Sequence, residues 1–209
     1  MMERVTNDRN QDSGLREGKG KSAERGAMGV VDLPSEKFLP REITDSEREG
    51  RYVSFRDSLK LAKEHQPWEN PTKPSPLFAS KLRGAVLAAM PLLPQSLHEN
   101  LKFFTSVGSP LDRYHGIDAF LEFEVMGKDP IRVTLDITMR PGKDIWKTDI
   151  LFSVGQVNVE TFTQDISKGD YDDIINRVAQ AAAAFIFKRL TNKPTEQIFI
   201  PKEKAQDHA

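Results

Sequence analysis

The chain has 209 residues, 38% of them hydrophobic and 29% charged, and its 30 Lys and Arg stand against 31 Asp and Glu for a net charge of -1. That length holds one domain with tails, and the near-neutral balance excludes a broad basic field, so any nucleic-acid contact must rest on a local patch. The absence of cysteine excludes disulfides, zinc–thiolate sites, iron–sulfur clusters and cysteine nucleophiles. No apolar run approaches the roughly 18 residues of a membrane span, and the N-terminus shows no apolar signal segment. A cytoplasmic protein with no membrane partner is expected.

Residues 1–30 are rich in Gly, Ser, Asn and mixed charge without an apolar period, the composition of a disordered tail. Residues 31–75 read as an N-terminal extension carrying one helix. Thr44 and Glu47 have capping-box spacing, and Tyr52, Phe55, Leu59 and Ala62 recur at helical intervals, predicting a helix over about 46–65 that ends before Pro67. A proline-rich connector over 67–76 follows. Ser75-Pro76 opens a second helix, with Leu77, Leu82, Val86 and Leu87 to Met90 on its buried side. Gln95 to Phe104 fits a further helical run, while Phe103 to Val107 also fits a short strand.

The centre of the chain is the stretch from His115 to Lys143. Ile117, Ala119, Leu121, Phe123 and Val125 alternate with Asp118, Phe120, Glu122 and Glu124. After the Gly127–Pro130 turn, Ile131, Val133, Leu135, Ile137 and Met139 alternate with Arg132, Thr134, Asp136, Thr138 and Arg140. This period of two predicts a hairpin. A third strand is expected at about 148–157, with Ile150, Phe152 and Val154 on one face, and Val157 to Phe162 extends it or begins another. A long helix then runs over about 170–191. Asp170, Asp172 and Asp173 suit the positive end of its dipole, and Ile174, Ile175, Val178, Ala182, Phe185, Ile186 and Leu190 form its apolar stripe. Gln197 to Ile200 reads as a last short strand, and 201–209 as a tail. The order is helix, three strands, helix, strand: an α/β (α+β) fold with a mixed central sheet and helices on its faces.

Glycine-rich phosphate loops, G-x-S-x-G and H-E-x-x-H are missing from the sequence. His65, His98 and His208 lack a partner pattern, and His115, next to Gly116, reads first as a structural residue. The better chemistry lies in Asp118 and Asp136. Two carboxylates projecting from one face of neighbouring strands offer hard oxygen ligands suited to Mg²⁺ or Mn²⁺, with the Ile137 carbonyl as a further ligand. Acidic residues are also common on the wet face of an antiparallel pair.

Gly116-Ile117-Asp118 at the head of one strand and Asp136-Ile137-Thr138 at the end of the next resemble the PD-(D/E)xK, or restriction-endonuclease-like, nuclease superfamily, whose core has the same αβββαβ order. The resemblance covers about 76–200. It implies metal-dependent hydrolysis of DNA or RNA, with Asp118 and Asp136 as catalytic residues and ligands to Mg²⁺ or Mn²⁺. The family's lysine, two residues after the second acid, is here replaced by Thr138, whose hydroxyl carries no positive charge. Lys147 is the candidate to stand in for it by reaching back from the third strand, with Arg140 and Lys143 facing the phosphate. The alternatives are a catalytically inactive domain of the same architecture that binds nucleic acid or a protein, and an unrelated α+β fold. The sequence does not indicate an oligomeric state.

Overall fold

Strict alternation of side chains across β-strands sorts the centre of the protein into two layers. The computed structural model describes residues 52–138, 147–153, 168–192 and 198–200. The expected tails, the Thr44–Glu47 cap and the Val157–Phe162 segment lie outside these residues. In chain order the elements are α1 (Phe55–Glu64), α2 (Leu77–Ala88), a 3₁₀ turn (Gln95–Asn100), β1 (Leu101–Thr105), α3 (Pro110–His115), β2 (Ala119–Phe123), β3 (Ile131–Thr138), β4 (Ile150–Ser153), α4 (Lys168–Leu190) and β5 (Ile198–Ile200). The fold is α+β.

The strands form one mixed sheet in the order β1-β2-β3-β4-β5. β1, β2 and β3 run antiparallel, with Phe104 opposite Phe120 and Glu122 opposite Arg132. β3 and β4 run parallel, with Asp136 opposite Leu151 and Thr138 opposite Ser153, and β5 adds parallel to β4. The expected hairpin turns at Gly127, whose φ of 70° suits a residue without Cβ. Its two arms are the antiparallel core of the sheet.

One face of the sheet carries Leu101, Phe103, Leu121, Val133, Leu135, Ile137, Ile150 and Phe152, and α2 and α4 cover it. On α4, Ile174, Val178, Ala182 and Ile186 fall every four residues, so a single stripe is buried. Ala179, Ala181 and Ala183 are also buried there; their small side chains let α2 and α4 approach, and Phe78 of α2 stacks on Phe152 at 6.0 Å. Each large side chain withdrawn from water in this layer contributes roughly 1.5–3 kcal/mol. Leu77 and Leu190, expected in the two stripes, are exposed. Leu77 begins its helix one position ahead of the Phe78, Leu82, Val86 series and so faces water.

The opposite face holds a smaller cluster in which Ala62 of α1 and Leu111 of α3 meet Phe104, Ile117 and Phe120. Phe104 and Phe120 stack at 4.9 Å. α1 thus packs on the second face of the sheet through Ala62. It also starts later than expected, at Phe55, because the Ser54 hydroxyl caps it by accepting from the Asp57 N–H at 3.2 Å.

Residues 95–105 form a 3₁₀ turn and then β1, so the strand begins two residues earlier than the expected Phe103 and ends at Thr105 rather than Val107. Arg83 joins the two, donating from Nε to Leu101 O at 2.7 Å and from Nη2 to His98 O at 2.6 Å. Burial holds its guanidinium below the usual range, with Glu99 acting in the opposite sense. β1 is an edge strand, and its outer side is occupied. The Gln66 side chain donates to Thr105 O at 2.8 Å and accepts from Thr105 N at 2.9 Å, while Phe103 N donates to Pro71 O. Covering an edge in this way removes a row of unpaired backbone groups. Among the described residues no helix is long and apolar enough to cross a membrane.

Candidate functional site

The chain reaches the site through α3, an element the alternation pattern does not reveal. Ser109 caps it by accepting from the Leu111 N–H, Pro110 occupies the first turn, and Gly116 ends it in the left-handed region at φ 64°, ψ 38°. That proline-first, glycine-last arrangement stands in the sequence as a helix signal. Gly116 turns the chain so that Ile117 packs into the smaller cluster, on the side of Phe120 rather than of Ala119. The expected alternation is therefore broken just before β2, where Asp118 enters.

Asp118 is fixed through three of its groups. Its backbone N–H donates to Leu135 O at 2.9 Å, its carbonyl accepts from Ser106 N at 2.8 Å, and its Oδ2 accepts from Ile137 N at 2.6 Å. Leu135 and Ile137 flank Asp136 on β3, so Asp118 holds β3 on either side of the second aspartate. β2 begins only at Ala119, and the Asp118 carboxylate takes the next N–H of β3 as a partner strand would. Asp118 is 4% exposed and Asp136 5%. Leu135 and Ile137 belong to the large apolar layer, which sets Asp136 on the opposite face of the strand.

The two residues lie on neighbouring segments of backbone, Asp118 bonding to the residues on either side of Asp136. The Asp118 carboxylate, however, is drawn to the backbone of β3 rather than standing free on a wet face. As a donor set, two buried carboxylates fit Mg²⁺ or Mn²⁺, which bind oxygen and keep several waters. Among the described residues, no group of three or more His, Asp or Glu is placed to hold a metal ion.

Thr138 closes β3 and is 6% exposed, level with Ser153. The register does not bring Lys147 to the aspartates. Lys147 is exposed and precedes β4 at the end where Asp149 meets Thr134. Asp136 and Thr138 are level with Leu151 and Ser153, four and six residues further along, and strands rise about 3.3 Å per residue. A parallel β3–β4 pair carries the start of β4 away from the end of β3, which alternation alone does not disclose. Arg140 and Lys143 lie outside the described residues. His115 is buried, with Nε2 3.2 Å from Val53 O and its ring edge-on to Phe55 at 5.4 Å. It packs α3 against the start of α1.

Two further charged groups share this side of the sheet. Glu122 is 1% exposed and accepts from Arg132 Nε at 2.8 Å and Lys63 Nζ at 2.6 Å. Its pairing with Arg132 was readable, since the two lie five residues either side of Gly127; the arrival of Lys63 from α1 was not. Asp149 Oδ2 accepts from the N–H and hydroxyl of Thr134 at 2.8 and 2.9 Å, and its Oδ1 accepts from Arg189 Nη2 at 2.6 Å. These groups hold β2, β3 and β4 in register around the aspartates. No protein-family model, no curated protein and no solved structure matches the chain.

Proposed function

We propose that this chain is a divergent nuclease-like domain of the PD-(D/E)xK, restriction-endonuclease-like kind, acting on phosphodiester bonds of DNA or RNA with Mg²⁺ or Mn²⁺. The observation that carries this reading is the grip of Asp118 on Leu135 O and Ile137 N, which holds the first acid beside Asp136. Element order supports it more weakly: β1 and α3 are inserted between the first core helix and the hairpin, and the remainder follows helix, strands, helix, strand.

Asp118 and Asp136 would hold the ion, which when bound stabilises charge developing on a phosphoryl oxygen and acidifies its water. The Ile137 N–H keeps the Asp118 carboxylate in place. The Thr138 hydroxyl can orient a water or donate to a phosphate oxygen, but supplies no charge. Thr138 also favours a second reading, a domain of this architecture that binds nucleic acid or a protein without cleaving.

The test is cleavage of labelled DNA and RNA by the full chain across a Mg²⁺ and Mn²⁺ titration, with Asp136→Ala purified alongside. Metal-dependent cleavage lost in the variant is the expected result. Equal cleavage by both proteins overturns the assignment, and binding without cleavage moves the protein to the second reading.

A further inference from the structure

Ser106 stands between β1 and α3, 2% exposed, and holds the chain on both sides of Asp118. Its hydroxyl donates to Ile117 O at 2.6 Å, and its backbone N–H donates to Asp118 O at 2.8 Å. Ile117 and Asp118 lie between α3 and β2, outside both elements. Ser106 is itself tied down, because its carbonyl accepts the N–H of Ser109, the residue that caps α3, at 2.9 Å. The Thr105 hydroxyl also approaches Asp118 O, but only at 3.5 Å.

The two Ser106 bonds fall on the two peptide planes that meet at the Asp118 Cα. A peptide unit is planar, so each residue has only two soft backbone dihedrals. The Ile117 carbonyl belongs to the plane before Asp118 and the Asp118 carbonyl to the plane after it. Asp118 N, bonded to Leu135 O at 2.9 Å, pins the opposite edge of the first plane. The Ser106 hydroxyl supplies the second point, which stops that plane from tilting. Fixing both planes sets the direction in which the Asp118 Cβ leaves the backbone, and from there Oδ2 reaches Ile137 N at 2.6 Å. Ile117 is 2% exposed, so deleting the hydroxyl leaves a buried carbonyl without this donor, a cost the chain can relieve only by turning the plane.

We infer that the Ser106 hydroxyl is a positioning group for the Asp118 carboxylate, holding it on the Ile137 N–H. Its consequence for an ion rests on the nuclease-like reading; its consequence for Ile137 does not. Groups that orient a metal ligand from behind are commonly worth roughly 10–100-fold in metal affinity.

The experiment uses the full chain as wild type, Ser106→Ala, Ser106→Thr and Glu122→Ala, the last a destabilised control without contact to Asp118. Urea unfolding gives the stability of each protein, amide exchange by NMR gives the protection of Ile137 against the other amides of β3, and calorimetry gives the affinity for Mn²⁺. Ser106→Ala is expected to speed exchange at Ile137 selectively and to lose about tenfold in Mn²⁺ affinity. Ser106→Thr, which keeps the hydroxyl, is expected to match the wild type, and Glu122→Ala to speed exchange along β3 without singling out Ile137. Exchange at Ile137 that rises no more than in the rest of the strand, or equal changes in the Ala and Thr variants, overturns the inference. A wild type that does not bind Mn²⁺ removes the ion from the nuclease-like reading, and the exchange result then decides the role of Ser106 alone. Wild-type Mn²⁺ binding that Ser106→Ala leaves unchanged removes the positioning role and leaves the ion.

Discussion

The Oδ2 of Asp118 accepts the backbone N–H of Ile137 at 2.6 Å, so a side chain completes the β2–β3 ladder one residue before β2 begins. This bond makes Asp118 a structural residue as well as a candidate ligand, and the two roles separate by substitution. Asp118→Ala leaves a buried N–H unpaired and is expected to cost about 1–3 kcal/mol. Asp118→Asn keeps an acceptor oxygen and is expected to stay within about 1 kcal/mol of the wild type, while losing the charge that would hold the proposed cation. Urea unfolding and Mn²⁺ calorimetry on both variants check this; equal destabilisation by Ala and Asn would refute it.

Glu122 is wedged between Arg132 and Lys63, with its own side chain 2% exposed and theirs 25% and 38%. Removing the carboxylate leaves two cations facing a buried position. Fully buried pairs lose roughly 3–5 kcal/mol when one partner is removed; because both cations are partly solvated, about 1–3 kcal/mol is expected for Glu122→Ala. A double-mutant cycle with Lys63→Ala should return a favourable coupling. Zero coupling would mean that Lys63 is an onlooker.

Gly116 sits at φ 64°, and a Cβ built there meets nothing within 4 Å. The cost of Gly116→Ala is therefore conformational rather than steric, roughly 1–2 kcal/mol. Asn tolerates the left-handed region better than Ala, so Gly116→Asn should recover part of that loss. Thermal unfolding of the two variants tests the order, and an alanine variant as stable as the wild type would contradict it.

Gln66 pairs with both backbone groups of Thr105 on the outer edge of β1, and its Nε2 also reaches Ala62 O. Gln66→Ala is expected to cost about 1–2 kcal/mol and to raise amide exchange at Thr105 selectively. Uniform faster exchange across β1 to β3 would show instead that the change acts globally.

Much of the fold was legible because burial on one side leaves a periodic trace. The alternation from Ala119 to Phe123 and from Ile131 to Thr138 marked two strands and their inward faces, and the Ile174, Val178, Ala182, Ile186 series marked the inner side of α4. Gly127 and Gly116 stand where the backbone needs a positive φ. The short helix α3 had its own signal in Ser109, Pro110 and Gly116, but at six residues it is too short to show an apolar period. What the sequence by itself determined is which residues of β2, β3 and the centre of α4 face the larger apolar layer, and that Asp118 and Asp136 fall on neighbouring segments of the hairpin.

Tertiary structure decided the rest, because it depends on contacts between residues far apart in the chain. The parallel direction of β4 takes Lys147 away from Asp136 and Thr138, although it follows them closely in sequence. The return of α1 across the second face brings Lys63 to Glu122, 59 positions away. The turn at Gly116 breaks the alternation and directs the Asp118 carboxylate to the Ile137 N–H. Periodicity records the side on which a residue is buried; strand direction and the path of the chain between elements set its partners.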